Sequence, residues 1–349
     1  VPSLEDTSAV LNLTTKPLAA LEVDLAPFRG ADALVLTGFD TTVDGLFSST
    51  ATNELAQTLD ELRLVKDAWE IDRIRDACNA TARGFADVVR ELPSVIDKPL
   101  RGERWLEGTF WRRARLDGNE VGYTSIVGAG GHGTTLHWWR NHGTISTGDL
   151  LLADMGVETD ELYTADVTRT MPVTGQWTPD QRRVYSAVLE AQTAAIAEVR
   201  PGADFLAPHK AAMHVLADHL HSWGILPVTA EVSCDPDPER PGAGLHRRYT
   251  LHGVSHMLGI DVHDCASARN EFYRDGQMAE GYCLTVEPGL YFQPNDLSVP
   301  AELRGLAVRI EDDILVTDGE PVNLSGGLPR EADEISSWMA HEQSLPTRP

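Results

Sequence analysis

The sequence predicts an α+β fold in which a helix–helix–strands unit occurs twice. Two observations carry this. From Asp67 a helical spacing of apolar residues leads to a second helix and then to β-rich runs, and from Thr178 the same order begins again. Sequence similarity between the halves is weak, so the duplication rests on element order. The totals agree: 349 residues, 42% hydrophobic and 23% charged, allow a sizeable core in one large or two ordinary domains.

Residues 1–60 show no complete core pattern. Residues 31–37 read as one strand ending at Gly38, among short mixed segments rich in Pro, Thr and Ser. From Asp67, Ile71, Ile74, Cys78, Phe85, Val88, Val89 and Leu92 recur three or four apart as far as Pro93, which predicts a long helix. A second helix over 101–116 is expected to turn Trp105, Leu106, Phe110 and Trp111 inward. Residues 123–127 are β-rich and run into the glycine-rich stretch 128–133. That stretch lacks the Lys-Ser/Thr of a phosphate loop and reads as a flexible loop. Residues 149–154 and 162–173 read as strands about a turn at 156–161. Thr178-Pro-Asp-Gln181 opens the next helix with Thr as N-cap, Pro in the first turn and Gln three after the cap. That helix ends at Pro201-Gly202. A helix over about 205–223, a Pro- and Asp-rich loop over 234–244, and strands near 250–263, 282–292 and 306–317 follow. The segment after Trp338 reads as a disordered tail.

Formal net charge is −24 and the pI is near 4.8. Such a surface repels phosphate backbones and anionic membranes, so no nucleic-acid or membrane partner is expected. No run approaches the roughly 18 apolar residues of a membrane span, and no basic-then-apolar segment opens the chain. Cys78, Cys234, Cys265 and Cys283 form no C-x-x-C pair. They read as reduced packing thiols of a cytoplasmic protein, with Cys265 and Cys283 close enough to the motifs below to be oxidation-sensitive.

The chemistry concentrates in 251–264, where His252, His256 and His263 lie within twelve positions of a chain that holds 12 histidines. Carboxylates must arrive from elsewhere. Asp154 ends an apolar run and Asp166 lies inside a strand. A hairpin centred on Asp160 would set the two directly opposite, with Cβ atoms about 4.5–5.5 Å apart. Two carboxylates that close repel unless a cation lies between them or one is protonated. Glu287 and Glu311 also interrupt apolar strands. Any one of these acids could simply face solvent. Four of them beside a histidine-rich stretch point to a metal, because buried charges need partners. Four carboxylates with one imidazole favour Mn(II), Fe(II) or Co(II) over a thiolate zinc site. They carry more charge than one divalent ion balances, so two ions are expected. Two ions can share a bridging water and polarise a carbonyl, which is hydrolytic chemistry.

Asp154, Asp166-Val-Thr-Arg-Thr-Met-Pro172, His252-Gly-Val-Ser-His256 with Val262-His-Asp264, Val286-Glu-Pro-Gly289 and Arg309-Ile-Glu-Asp312 occur in that order. Together they resemble the pita-bread metallopeptidase family, and within it the aminopeptidase P (Xaa-Pro aminopeptidase) branch of actinobacterial type, over about residues 55–340. The resemblance implies a pita-bread (creatinase/aminopeptidase) catalytic domain over 61–340. Before it, 1–60 would be the last part of an N-terminal domain with a linker, and 341–349 would be a tail. The implied activity is removal of the first residue from peptides with proline second, at two divalent ions, Mn(II) first, with Co, Fe or Zn as alternatives. Asp154, Asp166, His256, Glu287 and Glu311 would bind metal, with Asp166 and Glu311 bridging. Glu287 would also accept a proton from the attacking water. His263 would steady the tetrahedral intermediate, His137 would contact the scissile group and His252 would line the substrate pocket. Arg309 and Tyr291 would orient the Asp154 side. The resemblance further implies a homo-oligomer at full length, and a loop between the aspartates one residue longer than in the best-known bacterial member.

Other readings remain. A prolidase would use the same metal site on Xaa-Pro dipeptides. Methionine aminopeptidase shares the fold without this type of N-terminal segment. A non-enzymatic pita-bread binding protein would typically have lost ligands. His137 and His252 could simply pack, and Trp138-Trp139 reads as wall or core.

Overall fold

The computed structural model describes residues 2–29, 33–47 and 52–346. The chain divides into residues 1–62 with 267–269, and residues 63–266 with 270–349. In the first unit α1 (Leu4–Leu11) starts from a Ser3–Asp6 capping box, and α3 (Thr41–Asp44) is capped by Asp40. Between them lies α2 (Leu21–Leu25), and α4 (Thr52–Arg63) closes the unit. Among the described residues 2–62 none is buried. Residues 33–37 form no strand, contrary to the reading of 31–37; Ala31 and Asp32 lie outside the described residues.

In the second unit α5 (Ala68–Glu91) begins at the N-cap Asp67, whose carboxylate accepts from the Glu70 amide while Glu70 returns the bond. Its buried stripe includes Ile74, Cys78, Phe85, Val88 and Val89, as the spacing predicts. α6 (Gly102–Asp117) packs on it. Gly84 allows the approach, since a Cβ there would stand 2.5 Å from the Phe110 ring. Leu106 and Phe110 are inward, but Trp105 and Trp111 are about half exposed, which corrects their expected burial. The α6 stripe runs through Glu103, Leu106, Phe110 and Ala114, and the two indoles flank it and donate to Glu91 and Glu120.

The strands are β1 (Glu120–Val121), β2 (Ile126–Ala129), β3 (Leu150–Met155), β4 (Val157–Glu158) and β5 (Val167–Pro172). β2, β3 and β5 form one antiparallel sheet in the order β2–β3–β5, and β1 pairs with β4. The second round begins with α7 (Pro179–Ala197), opened by the expected Thr178–Gln181 capping box, and α8 (Ala207–Ser222), which pack on each other. After the short α9 (Ala230–Ser233) come β6 (Cys283–Val286), β7 (Gly289–Tyr291), β8 (Ala307–Arg309), β9 (Asp312–Leu315) and β10 (Val322–Asn323). They form a β10–β9–β6 sheet and a β7–β8 ribbon. Helix–helix–strands therefore does occur twice.

Residues 250–263 do not form the expected regular strand. The segment is irregular and meets β6 by single bonds, Leu258 N to Cys283 O, Thr285 N to His256 O and Glu287 N to Val254 O. Nor are residues 339–344 disordered, contrary to the reading of the segment after Trp338: they belong to α10 (Ala332–Ser344), which buries Ile335 and Met339, and Glu342 pairs with Arg90 of α5; residues 347–349 lie outside the described residues. Two apolar clusters hold the halves together. One joins Ile74 and Cys78 of α5 to Leu258, Cys283 and Leu315; the other joins Ile126 and Leu152 to Tyr291 and Ala307. No described helix is long and apolar enough to cross a membrane.

Candidate metal centre

The β3–β5 hairpin sets the first two acids. Its register pairs Asp154 with Thr168 and Met155 with Val167. The turn is closed by Thr159 N to Tyr163 O, so it centres on Glu161 rather than on Asp160. Asp154 and Asp166 are therefore diagonal neighbours, not directly opposed as the sequence suggested. A shift of two residues keeps both on one face and widens their separation to the roughly 7–8 Å of diagonal pairs, room for a cation between them. Gly156 makes the crossing possible, because a Cβ there would stand 1.7 Å from Ala165 O.

The other acids stand at a break in the second set of strands. β6–β9 pairs Val286 with Asp312, and β7–β8 pairs Gly289 with Arg309 in the same register. Continuing that register puts Glu287 across from Glu311, where Pro288 interrupts the ladder. His256 reaches them from the irregular segment. Its Nδ1 lies 3.0 Å from Met257 O, a bond that assigns the proton to Nδ1 and leaves Nε2 facing the acids. Nε2 lies 3.3 Å from Asp166 Oδ2 and 3.7 Å from Glu287 Oε1. Asp166, His256 and Glu311 each offer a donor atom, and these all lie within 4.8 Å of one another.

Arg309 supports the cluster from beneath, donating to Asp154 Oδ2, to Tyr291 Oη at 2.9 Å and to Thr168 Oγ1 at 2.9 Å. The Thr168 hydroxyl donates in turn to Glu311 Oε2 at 2.7 Å, and Tyr123 donates to Asp154 Oδ1 at 2.6 Å. Behind Asp166, its amide donates to Asp313 Oδ2 at 3.1 Å, which Cys78 Sγ also meets. Tyr123, Thr168 and Asp313 escaped the sequence reading. A period-2 signal exists for two of them: Thr168 follows Asp166 by two and Asp313 follows Glu311 by two, so each shares its neighbour's face. Tyr123 precedes its strand and carries no such signal.

The electrostatics show what the cluster lacks. Burial pushes Glu311 well above the ordinary carboxylate range, and Asp166 and Glu287 add to the push. Burial also pushes Asp154 up to about 6 against the pull of Arg309. Glu287 is held below its usual value, because His252 and His256 outweigh its burial. Burial opposes a charge on His256, yet Asp166 and Glu287 hold it up at about 9. Acids crowded this way need more positive charge than Arg309 and the imidazoles supply, and mixed oxygen and nitrogen donors suit a divalent cation.

These groups floor a cleft of about 850 Å³ whose walls include His137, His252, His263, Trp139, Phe205 and Tyr273. His252 Nε2 meets Tyr291 Oη at 2.7 Å, and Nδ1 lies 3.3 Å from Glu287 Oε2. The His263 ring packs edge-on to His256 at 4.4 Å; burial and His256 lower its pKa. His137 stands exposed on the wall. Every residue singled out from the sequence thus reaches one cleft or its immediate support. Burial pushes the thiols of Cys265 and Cys283 up to about 12, so neither is an activated thiolate.

Residues 72–318 match the metallopeptidase family M24. The chain belongs to this family. An M24 metallopeptidase works with divalent metal, which agrees with the donor set described above. Among relatives, Xaa-Pro aminopeptidase 2 of Streptomyces coelicolor is 50% identical over 340 residues, 97% of this chain and 70% of the relative. Xaa-Pro aminopeptidase 1 of the same organism is 51% identical over 311 residues, 88% of this chain and 61% of the relative. Among solved structures, aminopeptidase P from Escherichia coli with the inhibitor Pro-Leu superposes with a TM-score of 0.77 at 29% identity, over 89% of this chain and 71% of that one. The Pseudomonas aeruginosa aminopeptidase PepP gives a TM-score of 0.83 at 28% identity, over 98% of this chain and 79% of that one. The M24 chain thus has the pita-bread fold and the aminopeptidase P relationship that its motif order suggested.

Proposed function

We propose that this chain is a metal-dependent exopeptidase that hydrolyses the bond between the first residue of a peptide and a proline in second place. The observation that carries the reading is the convergence of Asp166, His256 and Glu311, with Glu287 beside them, at the floor of a cleft in an M24 chain. The names of the two Streptomyces relatives supply the Xaa-Pro preference.

In this reading Asp154, Asp166, His256, Glu287 and Glu311 hold two divalent ions, Mn(II) before Co, Fe or Zn. Bound metal supplies polarisation of the scissile carbonyl and a lowered pKa for the attacking water. The chain's own residues do the rest. His256 presents Nε2 because its Nδ1–H donates to Met257 O. Glu287, kept ionised by His252 and His256, receives the proton of the attacking water. His263 and His137, on the cleft wall, steady the tetrahedral intermediate and contact the scissile group. His252, held by Tyr291, faces the substrate. Arg309 and Tyr291 keep Asp154 in place. The free cysteines suit a reducing cytoplasm.

The test is release of the first residue from Arg-Pro-Pro, beside an Xaa-Pro dipeptide, with and without Mn(II). Mn(II)-dependent cleavage of the tripeptide that Asp166→Ala abolishes is expected. Cleavage of the dipeptide alone would replace the reading with a prolidase, and unchanged turnover in Asp166→Ala would remove the site assignment.

A further inference from the structure

We propose that Glu103 positions His137 for the reaction, acting through the loop of residues 129–143; the proposal rests on the role just given to His137. Glu103 lies in the first turn of α6, far from every motif, and is 0% exposed. Its Oε1 accepts from Ala129 N at 2.9 Å and faces His132 Nδ1 at 2.7 Å. Its Oε2 accepts from Gly143 N at 2.6 Å and Trp138 Nε1 at 2.9 Å. One carboxylate therefore ties both ends of the loop and two points within it.

The loop alternates about that anchor. His137 and Trp139 line the cleft, while Trp138 between them turns the other way, donates to Glu103 and packs against the cluster of Ile126, Leu152 and Tyr291. The His132 ring stacks on the Trp138 indole at 4.0 Å and His142 stacks with it at 5.2 Å. Gly143 must be a glycine here, since a Cβ would stand 2.7 Å from Glu103 Oε1. No arginine or lysine among the described residues pairs with Glu103. Ala129 N, Gly143 N and Trp138 Nε1 each present an N–H group to it, and the His132 ring nitrogen completes the set. An apolar residue would fill the same volume but leave the Ala129, Gly143 and Trp138 N–H groups without their acceptor. What the carboxylate adds is direction: it fixes the indole, and the indole fixes the facing of the residue before it.

Glu103→Gln is the probe, because it keeps the shape and turns an amide NH₂ toward two N–H donors. The metal-loaded protein is assayed on Arg-Pro-Pro as wild type, Glu103→Gln, His137→Ala and the double variant. The expected result is a kcat about 10- to 100-fold lower in Glu103→Gln with a smaller change in KM. The double variant should be no slower than His137→Ala alone, because the two residues act as one unit. Multiplying effects, or an unchanged kcat in Glu103→Gln, would overturn the proposal. If Glu103→Gln does not fold, Trp138→Phe removes one of the four bonds and should give a smaller kcat loss that also vanishes in the His137→Ala background; a loss that persists there would overturn it equally. Wild type that fails to cleave any Xaa-Pro peptide refutes the proposed function instead. Positioning is then judged without turnover, from the NMR shift of the His137 ring, which must move in Glu103→Gln.

Discussion

Asp166→Asn separates a metal ligand from a structural acid, because the two roles predict opposite stability behaviour. In the metal-free protein Asp166 does two things. Its Oδ2 lies 3.3 Å from His256 Nε2, a pairing that stabilises the fold. It also lies among the charges that push Glu311 upward, a repulsion that destabilises it. Each effect is on the order of 1–2 kcal/mol, and the substitution removes both. Metal-free stability in urea should therefore change by less than about 1 kcal/mol. Divalent metal changes the comparison. At a hundredfold excess over its Kd a ligand that binds only the folded state adds about 2.7 kcal/mol. Wild type should show that gain with Mn(II), and Asp166→Asn should lose most of it. Turnover should fall about a thousandfold, the equivalent of about 4 kcal/mol of lost transition-state stabilisation. The measurement is a pair of urea titrations per protein, with chelator and with Mn(II), beside a peptide assay. A variant that loses 3 kcal/mol or more without metal yet keeps the metal-linked gain would show Asp166 to be a packing acid and would refute the reasoning.

Three further outcomes are expected. Tyr123→Phe deletes the 2.6 Å donor to Asp154 Oδ1 and should weaken Mn(II) binding about 10- to 100-fold by titration calorimetry; equal affinity would mean Arg309 alone orients Asp154. Lys66→Met removes the buried one of the two cations that pair with the buried Asp264 carboxylate, 2.7 Å from Lys66 Nζ with Arg63 on its other oxygen, and should cost about 3–5 kcal/mol in urea; a loss under 1 kcal/mol would mean that Arg63 suffices. His209 has its pKa lowered to about 4, by burial first and then by His246, Arg247, His252 and Lys210. Between pH 6.5 and 4 the unfolded chain takes up a proton that folded His209 refuses, so stability is full above that window and falls as pH drops through it. The loss is on the order of 1–3 kcal/mol, and the urea midpoint of His209→Asn should fall less steeply there than that of wild type; parallel curves would exclude His209 as the source.

Local chemistry determined what the sequence could show by itself. The helix start at Asp67, the Thr178–Gln181 capping pattern and the apolar stripe of α5 involve residues three or four apart, and the structure has all of them. The acids were legible because an ionisable residue inside an apolar strand is conspicuous whichever strand it pairs with. The order of the motifs carried the family, which the match over 72–318 establishes.

Only the tertiary structure decided the rest. Periodicity assigns a residue to a face but not to a partner, so the hairpin register was misplaced by two while the face of Asp154 and Asp166 was right. The burial of Trp105 and Trp111 failed because an aromatic residue beside a stripe is free to lie over a neighbouring acid instead. Among the three histidines of 251–264, the sequence and its family resemblance singled out His256. Its facing was set by the Met257 carbonyl and by strands more than twenty residues away. Glu103 was invisible for the same reason. Its four donors come from residues 129 to 143, and nothing in the sequence near position 103 says that a buried carboxylate will meet them. Residue type and spacing select groups capable of the chemistry; long-range packing sets their distances, and with them which groups the chemistry can use.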